Sequence, residues 1–383
     1  MRRRNLVLGG LGVLALGGAA AVGVRFMRKD EAPLGFVPDP ASLERARTLL
    51  RDNPAIDIHA HPGRTFVRGA RDLSPALMAY SARGAFEAQA VKDMREGLVC
   101  GGSFAGVADF QTLDLKGQGL ASVRAFKPGE AWDSYRRQVG NLRARVEAAG
   151  ASIVSEPADF RRTKESSGIA ALLTVEGADF LEGDVARVAK VFADGIRSIT
   201  LVHYRPNELG DIQTAPAVRN GLTPFGAEVI GAMERAGMVV DLAHAAEPVV
   251  AAALDVAGRP MMCSHTHLQG HGANNARFIS EPLARAIAAA GGIIGAWPAG
   301  IGATSLKDYV DRIFELAEVL GPDHVAMGTD MDANYKPVMT SYRQMPLVVS
   351  ELLRRGYGED NTIKFVGGNF MRVFEKVWAG RVM

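Results

Sequence analysis

The chain has 383 residues, 48% of them hydrophobic and 22% charged, with a formal net charge of +2. That composition is ordinary for a folded globular protein and gives disorder no support, while the length allows one large domain or two ordinary ones. Much of the basic excess falls in the first 29 residues, so the folded part lacks the clustered Lys and Arg of a nucleic-acid surface, and that class is excluded.

Arg2, Arg3 and Arg4 precede an uncharged stretch from Asn5 to Val24, which Arg25, Arg28 and Lys29 close. A basic start and an apolar segment mark a signal peptide or membrane anchor rather than part of the fold. Residues 1–31 are therefore set apart from a single domain over 32–383. Arg3 and Arg4 followed by Asn5-Leu6-Val7 resemble a twin-arginine signal. The expected location is exported: periplasmic, or anchored and facing outward. Leu6 to Val24 is close to the ~20 residues that span a bilayer, so any membrane attachment is expected through residues 5–24. The Pro/Ala-rich segment Ala32–Ala41 joins this leader to the domain.

Beyond it, short apolar runs alternate with longer helical stretches. The expected strands are Ile56–His59, Leu98–Gly101, Ile169–Val175, Ser198–His203, Met238–His244, Met261–His265, Gly292–Trp297 and Val325–Thr329. Most are apolar throughout rather than alternating, as in strands of a parallel sheet covered on both faces. Helices are expected at Ala131–Ala149, Asp184–Ala193, Thr223–Ala236, Glu247–Val256, Glu281–Ala290 and Leu306–Leu320. Gly237 and Gly291 each end a helix just before a strand, as C-capping glycines do. Eight such units predict an α/β fold, a (β/α)8 TIM-type barrel, with an open doubly wound sheet as the alternative. No G-x-G-x-x-G follows an early strand, so dinucleotide binding has no support. Pro62 to Gly168 is too long for two simple units. It predicts an elaboration over the barrel mouth between strands one and three, including the helix Ala131–Ala149, with Ala108–Glu130 as exposed loop. Cys100 and Cys263 lie in apolar runs and are expected as buried thiols rather than a disulfide.

In such a barrel the reactive groups come from the C-terminal ends of the strands. Strand one ends in His59 and His61, strand three in Glu176, strand four in His203, strand five in His244, strand six in His265 and strand eight in Asp330. His59 and His61 are two apart, so on a strand both project to one face. Imidazole nitrogen and carboxylate oxygen suit a divalent metal such as zinc. One ion would take His59, His61 and Glu176; a second would take Glu176, His244 and His265, with Glu176 bridging. Two such ions hold a bridging hydroxide as nucleophile. Asp330 would shuttle the proton, and His203, left out of the ligand sets, would polarise the substrate oxygen. Asp57 is expected to be buried and hydrogen-bonded, and Trp297 to wall the pocket. A polar loop would hold His267 and His271 in any case, and His324 begins strand eight at the wrong end of the barrel.

From about Ala55 to Phe374 the chain resembles the membrane (renal) dipeptidases, zinc enzymes of the amidohydrolase superfamily. The resemblance rests on TVEGAD at Thr174, LTPFGAEVIGAMERAGMVVDLAH at Leu222, RPMMCSHT at Arg259, HVAMGTDMD at His324 and GGNFMRVFE at Gly367. It implies a dipeptidase with two zinc ions: Glu176 bridges, His244 and His265 hold the second zinc, Asp330 is the acid/base and His203 contacts the scissile group. It also implies that Arg277, in NNARFISE, holds the terminal carboxylate of the substrate, a role that suits a guanidinium fork. The family's first motif usually reads His-x-Asp; here it is His59-Ala60-His61, an imidazole in place of a carboxylate at the first metal. The expected partner is a small peptide with a free C-terminus, which the family often accepts with a D-residue there; a homodimer is a further expectation. The rivals are another amidohydrolase, a lactonase or phosphotriesterase, and a silent barrel that binds without catalysis. No lysine ends strand four to bridge metals in the manner of the first rival.

Overall fold

In the computed structural model, residues 31–116 and 119–382 are described. The leader, with the export and membrane-attachment readings, lies outside them. Among the described residues no helix is long and apolar enough to cross a membrane.

Eight parallel strands stand side by side in chain order: β1 (Ile56–Asp57), β2 (Gly101–Val107), β3 (Ala170–Glu176), β4 (Ile196–Thr200), β5 (Val239–Asp241), β6 (Met262–Thr266), β7 (Ile293–Ala296) and β8 (Val325–Met327). Each is buried along its whole length, which is why most of them carry apolar residues on both faces. The last strand returns to the first. Ile58 N donates to Met327 O at 2.9 Å, Asp330 N to His59 O at 2.8 Å and His61 N to Met331 O at 2.9 Å. Ala60 and Met331 form a parallel bridge along the same seam. The barrel expected from the pattern is the fold observed.

Local chemistry fixes the outer helices. Thr223 caps Pro224–Ala236 by accepting from Gly226 N, and Gly237 ends it at φ 78°, a left-handed conformation that costs glycine least. Ser305 and Asp308 form a reciprocal capping box on Leu306–Leu320. The segment after the leader docks on that helix start: Leu306 N donates to Pro33 O and Lys307 N to Leu34 O, both at 2.9 Å. The N-terminal floor of the barrel is filled by Leu172, Met262 and Ile293 against Phe370 and Phe374 of the last helix, Asn369–Ala379. With that end plugged, only the C-terminal ends of the strands open toward substrate.

Three expectations need correction. The second strand runs Gly101–Val107, not Leu98–Gly101; Leu98 to Cys100 lead into it. Glu130–Ala148 is not part of a mouth elaboration but lies between β2 and β3 as a barrel helix. Its Gln138 brackets the end of β2, with Val107 N donating to Oε1 at 2.8 Å and Nε2 donating to Val107 O at 2.7 Å. Ala108–Glu130 holds an antiparallel pair, Leu113–Lys116 with Gly119–Ser122. The elaboration is that hairpin, the helices Pro75–Ser81 and Ala158–Glu165, and a short strand, Ser152–Ile153, beside β3. Cys100 and Cys263 are free and buried, as expected.

Candidate metal centre and active site

Every residue singled out at a strand end converges on one point. His59, His61, Glu176, His203, His244, His265, Arg277 and Asp330 are each less than a tenth exposed, and Glu176 stands among them. Its Oε1 lies 3.5 Å from His59 Nε2, 2.8 Å from His244 Nε2 and 3.5 Å from His265 Nε2. Its Oε2 lies 3.3 Å from both His61 Nε2 and His203 Nε2. Asp330 Oδ1 approaches His61 Nε2 at 3.5 Å. His244 and Asp330 hold φ of 66° and 53°, a left-handed backbone that non-glycine residues adopt at a cost and that here turns both side chains inward.

Hydrogen bonds from behind fix His61, His203 and His265, whereas His244 Nδ1 is buried without a partner. His61 Nδ1 donates to Ala105 O at 3.1 Å. His265 Nδ1 donates to Ser264 Oγ at 3.0 Å, and that hydroxyl donates to Asp241 Oδ2 at 2.7 Å. Both rings therefore carry their proton on Nδ1 and turn the Nε2 lone pair inward, as metal-ligating histidines do. Asp241 also accepts from Thr200 Oγ1 at 2.7 Å and lies 3.9 Å from His59 Nδ1. His203 Nδ1 donates to Asp109 Oδ1 at 2.6 Å, while Asp109 Oδ2 accepts from Tyr204 N at 3.0 Å. Asp57, in β1, is buried, as expected, accepting from Thr329 N, Tyr342 Oη and the Thr329 hydroxyl.

Two triads have ligand atoms close enough to share an ion: His59, His61 and Glu176, and Glu176, His244 and His265. The first fits a metal on its own geometry, since His59 Nε2, His61 Nε2 and Glu176 Oε1 are buried without a hydrogen-bond partner, a costly state unless something accepts their lone pairs. In the second triad Arg277 Nη2 reaches His244 Nε2 at 2.9 Å and His265 Nε2 at 3.0 Å. Its Nη1 donates to Gln213 Oε1 at 2.6 Å. The nitrogens expected to hold a second metal thus already face a cation, and Arg277 must turn aside for them to bind one.

Charge follows from this crowding. Burial would raise the Glu176 carboxyl, but His203, His59 and His244 hold it well below the usual carboxylate range. Burial lowers His59, yet Glu176, Asp241 and Asp330 overrule it and carry it up to about 9. His203 is raised in the same way by Asp109 and Glu176. His244 and His265 are held well below the ordinary imidazole value, first by burial and then by neighbouring cations. Asp330 is pushed up to about 6 by burial and by Glu176, with His61 pulling the other way.

The remaining histidines stand apart. His267 pairs with Glu315 at 3.0 Å, His271 lies 4.0 Å from Glu281, and His324 bonds Gly292 O at the far end of the barrel. Trp297 walls the site, its ring 5.7 Å from His265 and 5.4 Å from the Arg277 guanidinium. The residues that the strand-end argument missed are Asp109, Asp241, Tyr204 and Gln213. Asp109 follows the true end of β2, so the correct strand boundary would have exposed it.

The model of the membrane dipeptidase family, peptidase family M19, matches residues 43–381. The chain belongs to this family. A dipeptidase of Claviceps purpurea, tcpJ, is 30% identical over 228 residues, 57% of this chain and 53% of that protein. Dipeptidase aclJ of Aspergillus oryzae is 29% identical over 219 residues, 55% of this chain and 52% of that one. The chain thus spans about half the length of the curated relatives it matches. Among solved structures, an amidohydrolase from Pseudomonas aeruginosa superposes with a TM-score of 0.68 at 18% identity, over 87% of this chain and 99% of that one. A metallopeptidase from Rhodobacter sphaeroides, liganded with a phosphinate mimic of the dipeptide L-Ala-D-Ala, gives 0.71 at 20%, over 85% and 99%. At those identities the likeness establishes the shared barrel. This M19 family member carries the metal-binding residue types of a metal-dependent family at the open end of that barrel.

Proposed function

We propose that this chain is a zinc-dependent dipeptidase that hydrolyses short peptides with a free C-terminal carboxylate, holding two ions between His59, His61, Glu176, His244 and His265. The observation that carries it is the convergence of those five residues with Asp330 on one rim, in a chain of the dipeptidase family. The metal, when bound, supplies a water acidic enough to ionise near neutral pH and polarises the peptide carbonyl. Asp330, raised to about 6, is poised to take a proton from the attacking water and return it to the leaving amine. His203, raised by Asp109 and Glu176 and fixed at Nδ1 by Asp109, presents Nε2 to the oxygen on which charge develops. Arg277, on turning from the imidazoles, offers its fork to the terminal carboxylate. The mimic bound by the Rhodobacter sphaeroides protein supports including D-residues at the second position.

The test is hydrolysis of a dipeptide panel by the zinc-loaded protein, with C-terminal D-residues and C-terminally amidated controls. Cleavage that disappears on amidation is expected. Two metals bound without cleavage of any dipeptide would refute the reading. We also propose export through residues 1–31; a reporter fused to them that stays in the cytoplasm would refute it.

A further inference from the structure

A second feature lies at the plugged end of the barrel. At the N-terminal ends of β3, β4 and β5, a groove of about 960 Å³ runs between the helices Ala158–Glu165, Arg187–Ala193, Pro224–Ala236 and Asn369–Ala379. Its apolar wall includes Val185, Val188, Phe192, Ala232 and Trp378. Four arginines line it too: Arg162, which pairs with Glu156 and Asp159, and three that form no ion pair among the described residues, Arg197, Arg235 and Arg381.

Arg197 is the informative one, because it is only 7% exposed. Its Nε donates to Ser155 O at 2.7 Å, and its Nη1 donates to Phe192 O at 2.8 Å and Ile196 O at 3.0 Å. Nη2 takes no carbonyl. The guanidinium lies 4.1 Å over the Phe192 ring and 5.7 Å from that of Trp378, which Arg381 covers at 4.1 Å. Among the described residues no carboxylate forms an ion pair with any of the three arginines. Two carboxylates, Glu156 and Asp159, line the groove as well, and their bonds go to Arg162 and to backbone amides rather than to Arg197. Asp159 accepts from Ser155 N, Glu156 N and Arg162, Glu156 pairs with Arg162, and Glu234 accepts from Arg259 N. A guanidinium withdrawn from water needs its charge compensated, and carbonyl dipoles and ring faces do this only in part. What remains is positive charge at the wall of an apolar groove whose size suits a small ligand.

We propose that this groove binds an amphipathic monocarboxylate, its apolar tail along Val188, Phe192, Ala232 and Trp378 and its carboxylate at Arg197 Nη2, with Arg235 and Arg381 at the rim. One free guanidinium nitrogen in an apolar wall suits a single negative charge with a hydrocarbon body. The site stands at the opposite end of the barrel from the metal centre and does not depend on the peptidase reading.

The test is isothermal titration of the purified full chain with decanoate below its micellar concentration, beside decanol (tail without charge) and acetate (charge without tail). Saturable binding of one decanoate per chain is expected, with both controls at least about tenfold weaker, since each lacks one of the two complementary features. Ala232→Trp fills the groove and leaves Arg197 in place. It should weaken decanoate by a similar factor and leave the metal content unchanged, as should Arg197→Met where it folds. No saturable binding, decanol binding as well as decanoate, or an Ala232→Trp protein with unaltered affinity would each overturn the proposal. Binding lost in His244→Ala but kept in Ala232→Trp would place the carboxylate at the metal centre and overturn it as well.

Discussion

Asp109→Asn isolates what the carboxylate behind His203 does. Asp109 is fully buried and its two oxygens serve two donors, His203 Nδ1 at 2.6 Å and Tyr204 N at 3.0 Å. An asparagine of the same shape has one oxygen and one NH2, so it can satisfy only one of them. If its oxygen keeps the Tyr204 amide, the NH2 donates to His203 Nδ1 and holds the ring as the neutral tautomer with its proton on Nε2. If it keeps His203, it leaves a buried amide opposed to an NH2, and the negative charge that raises His203 is gone either way. A hydrogen bond to a charged group contributes about 1.5–3 kcal/mol, which on the reaction barrier is roughly a 10- to 150-fold loss of kcat. The assay is kcat and KM for a cleaved dipeptide, with metal content measured alongside. The fall should lie in kcat, with KM within about threefold and metal unchanged, and Asp109→Asn should cost nothing further in a His203→Ala background. Wild-type kcat in Asp109→Asn, or additive losses in the double variant, would show that Asp109 is packing alone.

Asp330→Asn is expected to retain its metal and lose about 10²–10⁴-fold in kcat, the range for a general acid/base; full activity would remove Asp330 from that role. Arg277→Met should raise KM for free dipeptides about tenfold or more through the lost charged contact. It should also tighten metal binding by Glu176, His244 and His265, because the competing cation is gone; equilibrium dialysis showing unchanged stoichiometry and affinity would refute the second part. Asp57 titrates at about 6 in the fold against an ordinary 3.8, raised by burial against the hydrogen bonds from Thr329 and Tyr342. A raised carboxyl stabilises fully below its unfolded value and loses that contribution as pH climbs through 6. Chelated wild-type protein should therefore lose roughly 2–2.5 kcal/mol relative to Asp57→Asn between pH 4 and 7, and parallel urea-unfolding curves across that range would contradict it.

The barrel and its candidate metal ligands were legible because the same feature encodes both. A strand covered on two faces is apolar throughout, so a histidine or glutamate at its end stands out, as in LLTVE and MMCSH. Strand β2 was not legible, because it reads Gly-Gly-Ser-Phe-Ala-Gly-Val. A Cβ at Gly101 would collide with Ala170 and one at Gly102 with Asp57, so close packing selects residues of poor strand propensity there. Missing that strand by several residues hid Asp109. Asp241 was hidden differently: it sits inside the apolar run MVVDLAH, and only the placement of Thr200 and Ser264 beside it reveals a buried carboxylate with its bonds satisfied. The contact of Arg277 with His244 and His265 spans a loop with no periodicity, and no sequence pattern carries it.

The seam between β1 and β8 gives the active site a position in time as well as in space. Ribosomal synthesis delivers His59 and His61 early, Glu176 and the other ligands midway, and Asp330 when little of the domain remains to be made. His59 and Asp330 are joined by one of the bonds that close the ring, so a nascent or truncated chain ending before Asp330 has the candidate metal ligands but lacks the group assigned to move protons. Under the proposed function, the residue assigned to move protons is thus delivered together with the strand that closes the barrel.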